Sequence, residues 1–241
     1  VTDHSATAGT SVLDGHVVIT GGASGLGAAV AATLARHGAS VSVLDRQPSP
    51  DGFRTVVVDL ADGRAAERAT LEAAGLEPAS DHLAAVVACA GIDVPGRLEE
   101  IAADVWERVV AVNLVGNVAV IRSALPFLQR SKGRIVTVAS TLGHRAVPDA
   151  TAYCASKFGL VGFTRALTAE LRGEVDVTLL TPGGMRTAFF DGRDDRYRPP
   201  EELELTPPEQ VADAVLFALT SPSTCAIREL VVTPPDEASW P

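Results

Sequence analysis

Short runs of β-branched residues alternate along the chain with longer Ala- and Leu-rich stretches whose apolar positions recur at helical period. The runs His16–Thr20, Ser40–Leu44, Thr55–Val58, Leu83–Ala88, Arg134–Val138, Val175–Leu180 and Arg228–Val232 predict seven strands. Between them, Leu26–His37, Arg64–Ala74, Asp104–Leu128, Ala152–Leu171 and Pro208–Leu219 predict helices. Strands that alternate with helices predict an α/β protein: a doubly wound, parallel seven-stranded sheet with helices on both faces. No internal repeat and no Ser/Gly linker divides the chain, so residues 13–241 are read as a single domain behind a loose tail, residues 1–12. The one long irregular piece, residues 182–207, is rich in Arg, Asp, Glu and Pro and is expected to form a lid or binding segment.

Composition narrows the picture. The 241 residues are 46% apolar with few aromatics, enough for a large core. A formal charge of −10 argues against a nucleic-acid groove or an anionic membrane surface as the main partner. Cys89, Cys154 and Cys225 form no CxxC pair, so they are expected to be small buried thiols in a reducing compartment. The five histidines lack ligand spacing, and no metal site is expected. Residues 1–9 do not resemble a signal peptide, and Asn113 and Asn117 break the most apolar run before it reaches the length of a membrane span. The expected location is the cytoplasm.

The first predicted strand runs into Thr20-Gly21-Gly22-Ala23-Ser24-Gly25-Leu26-Gly27 and then a helix. Glycines let a diphosphate approach the backbone closely, and the N–H groups and dipole of the helix N-terminus meet its charge. A Gly-rich turn alone is a weak signal, but its place between strand and helix strengthens it. The second strand ends at Asp45, where a carboxylate can accept hydrogen bonds from an adenosine ribose and repel a 2′-phosphate. That predicts NAD, with NADP disfavoured; Arg46 either softens the choice or is a solvated charge. Asp59 and Leu60, ending the third strand, either border the adenine or open the next helix with an acid.

Tyr153 and Lys157 lie four apart on a predicted helix and so share one face. A phenol is a poor base near neutrality, but a neighbouring ammonium and a positively charged oxidised nicotinamide are expected to lower its pKa and let it exchange a hydroxyl proton as hydride moves. Alone, the pair has an ordinary surface explanation. Ser140 ends the fifth strand at the same sheet edge, where it can donate to a carbonyl oxygen. Asn113, in an apolar helix, reads as a structural node or as part of a water-linked proton path from Lys157.

In order and spacing these residues resemble the short-chain dehydrogenase/reductase family. Thr20–Gly27 fits its TGxxxGxG turn, and Asn113, Ser140, Tyr153 and Lys157 fit its catalytic tetrad. Pro182-Gly183, followed by Thr187, fits the turn beside the nicotinamide; the match runs from about Leu13 to Val232. The resemblance implies a Rossmann fold and reversible oxidation of a secondary alcohol (a hydroxy acid, polyol or similar) to its ketone. It also implies that Gly21, Ser24, Gly25, Leu26, Gly27, Ala90, Gly91, Pro182, Gly183, Met185 and Thr187 border the cofactor, and that the chain forms a homodimer or homotetramer. Tyr153 would handle the proton, Ser140 steady the oxygen, Lys157 hold the nicotinamide ribose and Asn113 the relay water. Three features depart from the pattern. The NNAG stretch reads Ala88-Cys89-Ala90-Gly91, with Cys89 expected as a small apolar contact. An extra glycine, Gly184, is expected to loosen the nicotinamide clamp, and the C-terminus lacks the usual late Gly-Gly, its shape being similar to members acting on 3-hydroxy acids. Arg193, Arg196 and Arg198 either reach an anionic substrate group or balance Asp191, Asp194 and Asp195 on a solvated lid. Leu142, Val147 and Phe189 are candidate apolar walls. Two other readings remain: a non-catalytic dinucleotide sensor on the same fold, and a sugar-nucleotide epimerase or dehydratase, which would carry GxxGxxG and a larger C-terminal domain.

Overall fold

The structure, a computed structural model, describes residues 15–75, 83–200 and 202–240. The predicted tail, residues 1–12, lies outside them. Seven strands form one sheet: β1 (His16–Thr20), β2 (Ser40–Asp45), β3 (Arg54–Val57), β4 (Leu83–Ala88), β5 (Arg134–Val138), β6 (Asp176–Pro182) and β7 (Glu229–Val232). Their order is β3-β2-β1-β4-β5-β6-β7, and every neighbouring pair is parallel. Six α-helices connect them: α1 (Gly25–Arg36), α2 (Gly63–Ala74), α3 (Ala103–Val110), α4 (Asn117–Ser131), α5 (Thr151–Glu170) and α6 (Pro208–Thr220). This is the doubly wound Rossmann arrangement expected from the sequence.

Alternation along each strand divides the core in two. Val18, Leu44, Val86, Ile135 and Val177 face α2, α4 and α5. Val17, Ile19, Val43, Val87 and Val136 face α1 and α6 on the opposite side. Each such side chain, fully buried, contributes roughly 1.5–3 kcal/mol relative to exposure. A shift of one residue in any strand would exchange the two faces, so the pairing Thr20↔Leu44 on one side and Thr20↔Ala88 on the other is tightly specified.

The predicted helix Asp104–Leu128 corresponds to two helices joined by a π-helical turn, Ala111–Gly116. The joined element, Ala103–Ser131, has 29 residues and is long and apolar enough to cross a membrane, yet half of its most apolar stretch is buried inside the fold. The expectation that the asparagines interrupt this run is therefore wrong. The wider turn absorbs them and points both inward, each fully buried.

Asn117 shows what that achieves. The Thr20 hydroxyl donates to Asn117 Oδ1 at 2.9 Å, Asn117 Nδ2 donates to the Ala90 carbonyl at 2.9 Å, and the Ala90 amide donates to Thr20 Oγ1 at 3.0 Å. A closed polar triangle thus joins the end of β1, the end of β4 and the start of α4. Cys89 is the small apolar contact expected of it. The amide missing from the 88–91 stretch is supplied from α4, while Cys89 itself is half-buried against the α1/α6 face. Asn117→Ala is expected to lower stability by about 2–3 kcal/mol, because it orphans a buried hydroxyl and carbonyl. Urea denaturation would measure it, and a loss below about 0.5 kcal/mol would show that the triangle is redundant.

Candidate active site

The strand order reverses between β1 and β4, so the connections leaving their carboxyl ends diverge and open a crevice. A single cavity of about 890 Å³ runs along it. All the predicted site residues except Asn113 line this cavity.

At one end, the turn from β1 to α1 is shaped by two glycines. Gly21 has φ +69°, and a Cβ on it would stand 2.9 Å from the Ala90 backbone; a Cβ on Gly27 would stand 2.2 Å from the Gly21 carbonyl. No larger residue fits either place. Ser24, the N-cap of α1, makes no side-chain capping bond, so the first N–H groups of α1 face the crevice beside Gly25 and Leu26. Asp45 is held by the Ala23 amide (3.0 Å) and the Gln47 amide (3.2 Å). Asp59 and Leu60 follow across the crevice. The N-cap of α2 is Asp62, which accepts from the Arg64 and Ala65 amides, so the capping alternative for Asp59 falls. Asp59 instead accepts from Arg108 at 2.7 Å and from the Ala61 amide at 3.0 Å, with Arg46 Nε 4.0 Å away. Burial pushes the Asp59 carboxyl up, but these partners more than offset it and hold it below its ordinary value.

In the middle, β5 and α5 bring Ser140, Tyr153 and Lys157 together. Ser140 Oγ accepts the Leu142 amide at 3.1 Å and hydrogen-bonds the Tyr153 phenol. Lys157 Nζ donates to the Val138 carbonyl at 2.8 Å and lies 5.6 Å from the Tyr153 ring centre. Burial dominates both groups. It pushes the Tyr153 phenol up to about 12, against the opposing effect of Ser140, and pushes Lys157 down to about 8. In the protein without a bound dinucleotide, Tyr153 therefore stands above the neutral range. The Lys157 ammonium is directed at a backbone carbonyl rather than at the phenol.

Asn113 stands behind this group, outside the cavity. Its Nδ2 donates to the Ile92 carbonyl (2.8 Å) and to Ser156 Oγ (3.0 Å), its Oδ1 accepts the Ile92 amide (2.7 Å), and its own carbonyl accepts Asn117 Nδ2 (3.1 Å). This geometry is that of a structural node. It fixes the Ala90–Gly91–Ile92 turn against the helix that carries Tyr153.

Pro182, Gly183 and Met185 border the cavity from the end of β6. Gly184 does not loosen this turn: its amide donates to Glu237 Oε2 at 2.8 Å and its carbonyl accepts the Thr206 amide at 3.0 Å. A Cβ on it would stand 2.8 Å from Leu205. Thr187 faces Gly25 across the crevice, and Phe189 tilts against Tyr153 with ring centres 5.8 Å apart. Leu142 and Val147 also line the wall. Of the cysteines, Cys154 is buried but Cys225 is exposed, contrary to expectation. The sequence reading missed Asp93 and Glu237, both of which line the cavity. Neither has a periodicity or motif that could have announced it.

Residues 15–198 match the family model for short chain dehydrogenases. The chain belongs to this family. Among curated members, it is 33% identical to glycine betaine reductase ATRR of Emericella nidulans over 93% of its own length, spanning 19% of that much longer protein. It is 35% identical to the 2-dehydro-3-deoxy-L-rhamnonate dehydrogenase (NAD(+)) of a Sphingomonas species, covering 72% of this chain and 73% of the relative. Among solved structures, the alcohol dehydrogenase of Thermococcus sibiricus complexed with 5-hydroxy-NADP superimposes with a TM-score of 0.79 at 24% identity, covering 91% and 96% of the two chains. At that identity the likeness speaks for the fold.

The buried lysine gives this short-chain dehydrogenase a pH signature. Lys157 titrates at about 8 in the folded chain against 10.5 for an ordinary lysine, so the unfolded state binds more protons between those values and stability rises with pH across that window. Below pH 8 the buried ammonium costs about 3 kcal/mol. Lys157→Met is expected to gain over wild type at pH 7, with the gap narrowing by about that amount as pH rises to 10.5. Urea denaturation across the range measures it, and a gap independent of pH would overturn the assignment.

Proposed function

We propose that this short-chain dehydrogenase is an NAD(H)-dependent oxidoreductase that interconverts a secondary alcohol and its ketone, with Tyr153 as general acid and base. The observation that carries the reading is the convergence of Ser140, Tyr153 and Lys157 in the same cavity as the phosphate turn and Asp45. The residues fit a nicotinamide dinucleotide: the glycine cradle excludes side chains where a diphosphate would lie, and free helix N–H groups face that place. When bound, the nicotinamide would supply or accept the hydride.

The chain's own residues do the rest. Asp45, aimed by two backbone amides, presents acceptors suited to ribose hydroxyls and a charge that opposes a 2′-phosphate. The Sphingomonas relative is named for NAD(+), whereas the Thermococcus enzyme was seen with an NADP analogue. The fold therefore accommodates both, and the choice of NAD rests on Asp45. Tyr153, protonated near neutrality, is already in the form that donates to a ketone oxygen. In the oxidative direction it must accept a proton, which the Ser140 hydrogen bond and the positive charges of Lys157 and the oxidised cofactor favour. Ser140, whose Oγ is steadied by the Leu142 amide, directs its hydroxyl towards the same oxygen.

Tyr153→Phe is expected to reduce NAD-linked turnover by about 10³-fold while NADH binding persists. Equal turnover by the two proteins on a panel of secondary alcohols would refute the proton role, and NADH binding without turnover by wild type would favour a sensor. Asp45→Ser is expected to shift the NAD-to-NADP ratio of kcat/KM by about 10- to 100-fold towards NADP. An unchanged ratio would refute the selectivity assigned to this carboxylate.

A further inference from the structure

Next to the phenol sits a buried ion pair that the proton chemistry does not use. Asp93 follows the Gly91 turn beyond β4, and Arg193 lies in the segment after β6. Arg193 Nη2 is 3.2 Å from Asp93 Oδ2, and the two side chains are only 10% and 7% exposed. Even so, Arg193 Nε and Nη2 and Asp93 Oδ1 are buried without a hydrogen-bond partner of ordinary geometry. The Arg193 guanidinium stacks on Phe189 and Phe190, 4.6 and 4.8 Å from their ring centres. Phe189 in turn is the ring against Tyr153. An unfilled donor fork is thus held one aromatic ring from the reacting oxygen.

As a structural device this pair is poor. Desolvating two charges costs several kcal/mol per ion, and an ion pair offsets that only when its remaining donors and acceptors are filled. Burial pushes the Asp93 carboxyl up despite Arg193 and the nearby Val94 amide, which marks the arrangement as unsatisfied. A ligand carrying acceptor oxygens would complete it. Two phenyl rings set at 87° to one another pack against the guanidinium, and its unfilled Nε and Nη2 are a pair of donors of the kind that binds a carboxylate through two parallel hydrogen bonds. Charge points the same way. Although the chain carries −10 overall, this end of the cavity is lined by Lys157, Arg193, Arg196 and Arg198 against Asp93 and Glu237. Arg196 and Arg198 have exposed partners, Asp194 and Asp195, at 3.9 and 3.2 Å, which leaves Arg193 as the desolvated arginine of the three.

We propose that Arg193, oriented by Asp93, binds the carboxylate of the substrate, and that the enzyme therefore acts on hydroxycarboxylates and their keto forms. The inference rests on the oxidoreductase reading above and adds the substrate class to it. The competing account is a latch, in which the pair merely pins the 183–200 segment to the body.

The test compares lactate, 3-hydroxybutyrate and gluconate with their methyl esters and with glucitol, in wild type and Arg193→Met, which keeps apolar volume on the phenyl rings but removes the donors. NADH binding by the variant establishes that it is folded. Wild type is expected to prefer at least one acid over its ester by about 100-fold in kcat/KM, and Arg193→Met to lose that preference, its turnover of the acid falling far more than its turnover of the ester. Equal losses on acid and ester would mean a latch, and wild type turning over esters or glucitol as well as acids would also overturn the proposal. Calorimetric titration of the acids into the NADH complex separates the two readings. Acid binding that Arg193→Met abolishes, without any turnover, would sustain the carboxylate site and refute the oxidoreductase reading. Neither binding nor discrimination across the set would refute the carboxylate site.

Discussion

A polar triangle at the reversal of the strand order holds the functional half of the molecule in place. Where β1 and β4 lie side by side, their connections turn to opposite faces of the sheet, and no apolar packing can bridge the crevice left between them. The Thr20 hydroxyl, the Asn117 amide and the Ala90 backbone close that gap with buried hydrogen bonds. Because the π turn also points Asn113 inward, one irregularity in one helix serves two ties. Asn117 fixes the end of the dinucleotide turn, and Asn113 fixes Ile92 and Ser156, three residues from Tyr153. An uninterrupted α-helix would carry two residues four apart along one stripe at a fixed pitch. The wider turn lets them serve neighbouring but separate targets, so the site's geometry is set by helix irregularity as much as by sheet regularity.

Burial, more than charge pairing, sets the resting protonation of the site. A phenol and an ammonium on one helical face would, in water, favour the phenolate. Enclosed between β5, α5 and Phe189, each is instead driven towards its neutral form, Tyr153 upward to about 12 and Lys157 downward to about 8. From ordinary values of 10.0 and 10.5 the two have crossed and moved apart, in the sense that keeps the phenol protonated. A site arranged this way is poised as an acid. On the proposed reading, positive charge brought into the crevice with the dinucleotide would favour the phenolate.

The sheet, its helices, the glycine turn and the shared face of Tyr153 and Lys157 were legible in the sequence because each leaves a local trace. Buried parallel strands read as β-branched runs, the glycines of Gly21–Gly27 must be glycine for steric reasons, and Tyr153 and Lys157 repeat at helical spacing. What was illegible is non-local. Asn117 reads as a blemish in an apolar run until Thr20, 97 residues away, is placed against it. Glu237 is an ordinary acid near the end of the chain until it meets the Gly184 amide, 53 residues earlier, and turns an expected loose turn into a fastened one. The resting state of Tyr153 has the same origin: spacing shows the neighbouring ammonium, but enclosure, a property of the whole crevice, sets the direction of the phenol's shift in the protein alone.

The two ends of the crevice are made from different material, and this bears on how such a protein can change its substrate while keeping its chemistry. The dinucleotide end is mostly backbone, its glycines and N–H groups held by strand register, with Asp45 itself fixed by two main-chain amides. Altering it would disturb the sheet. The substrate end is side chain, drawn from the turn beyond β4 and the irregular segment after β6, where Arg193, Phe189 and Phe190 rest on few backbone hydrogen bonds. A change there alters what the crevice receives without moving a strand. The cost of leaving Asp93 and Arg193 buried and incompletely paired falls on this adaptable end, separated from the core that β1, β4 and α4 hold together. Loop-borne charge can therefore be tuned against a ligand without threatening the fold that positions Tyr153.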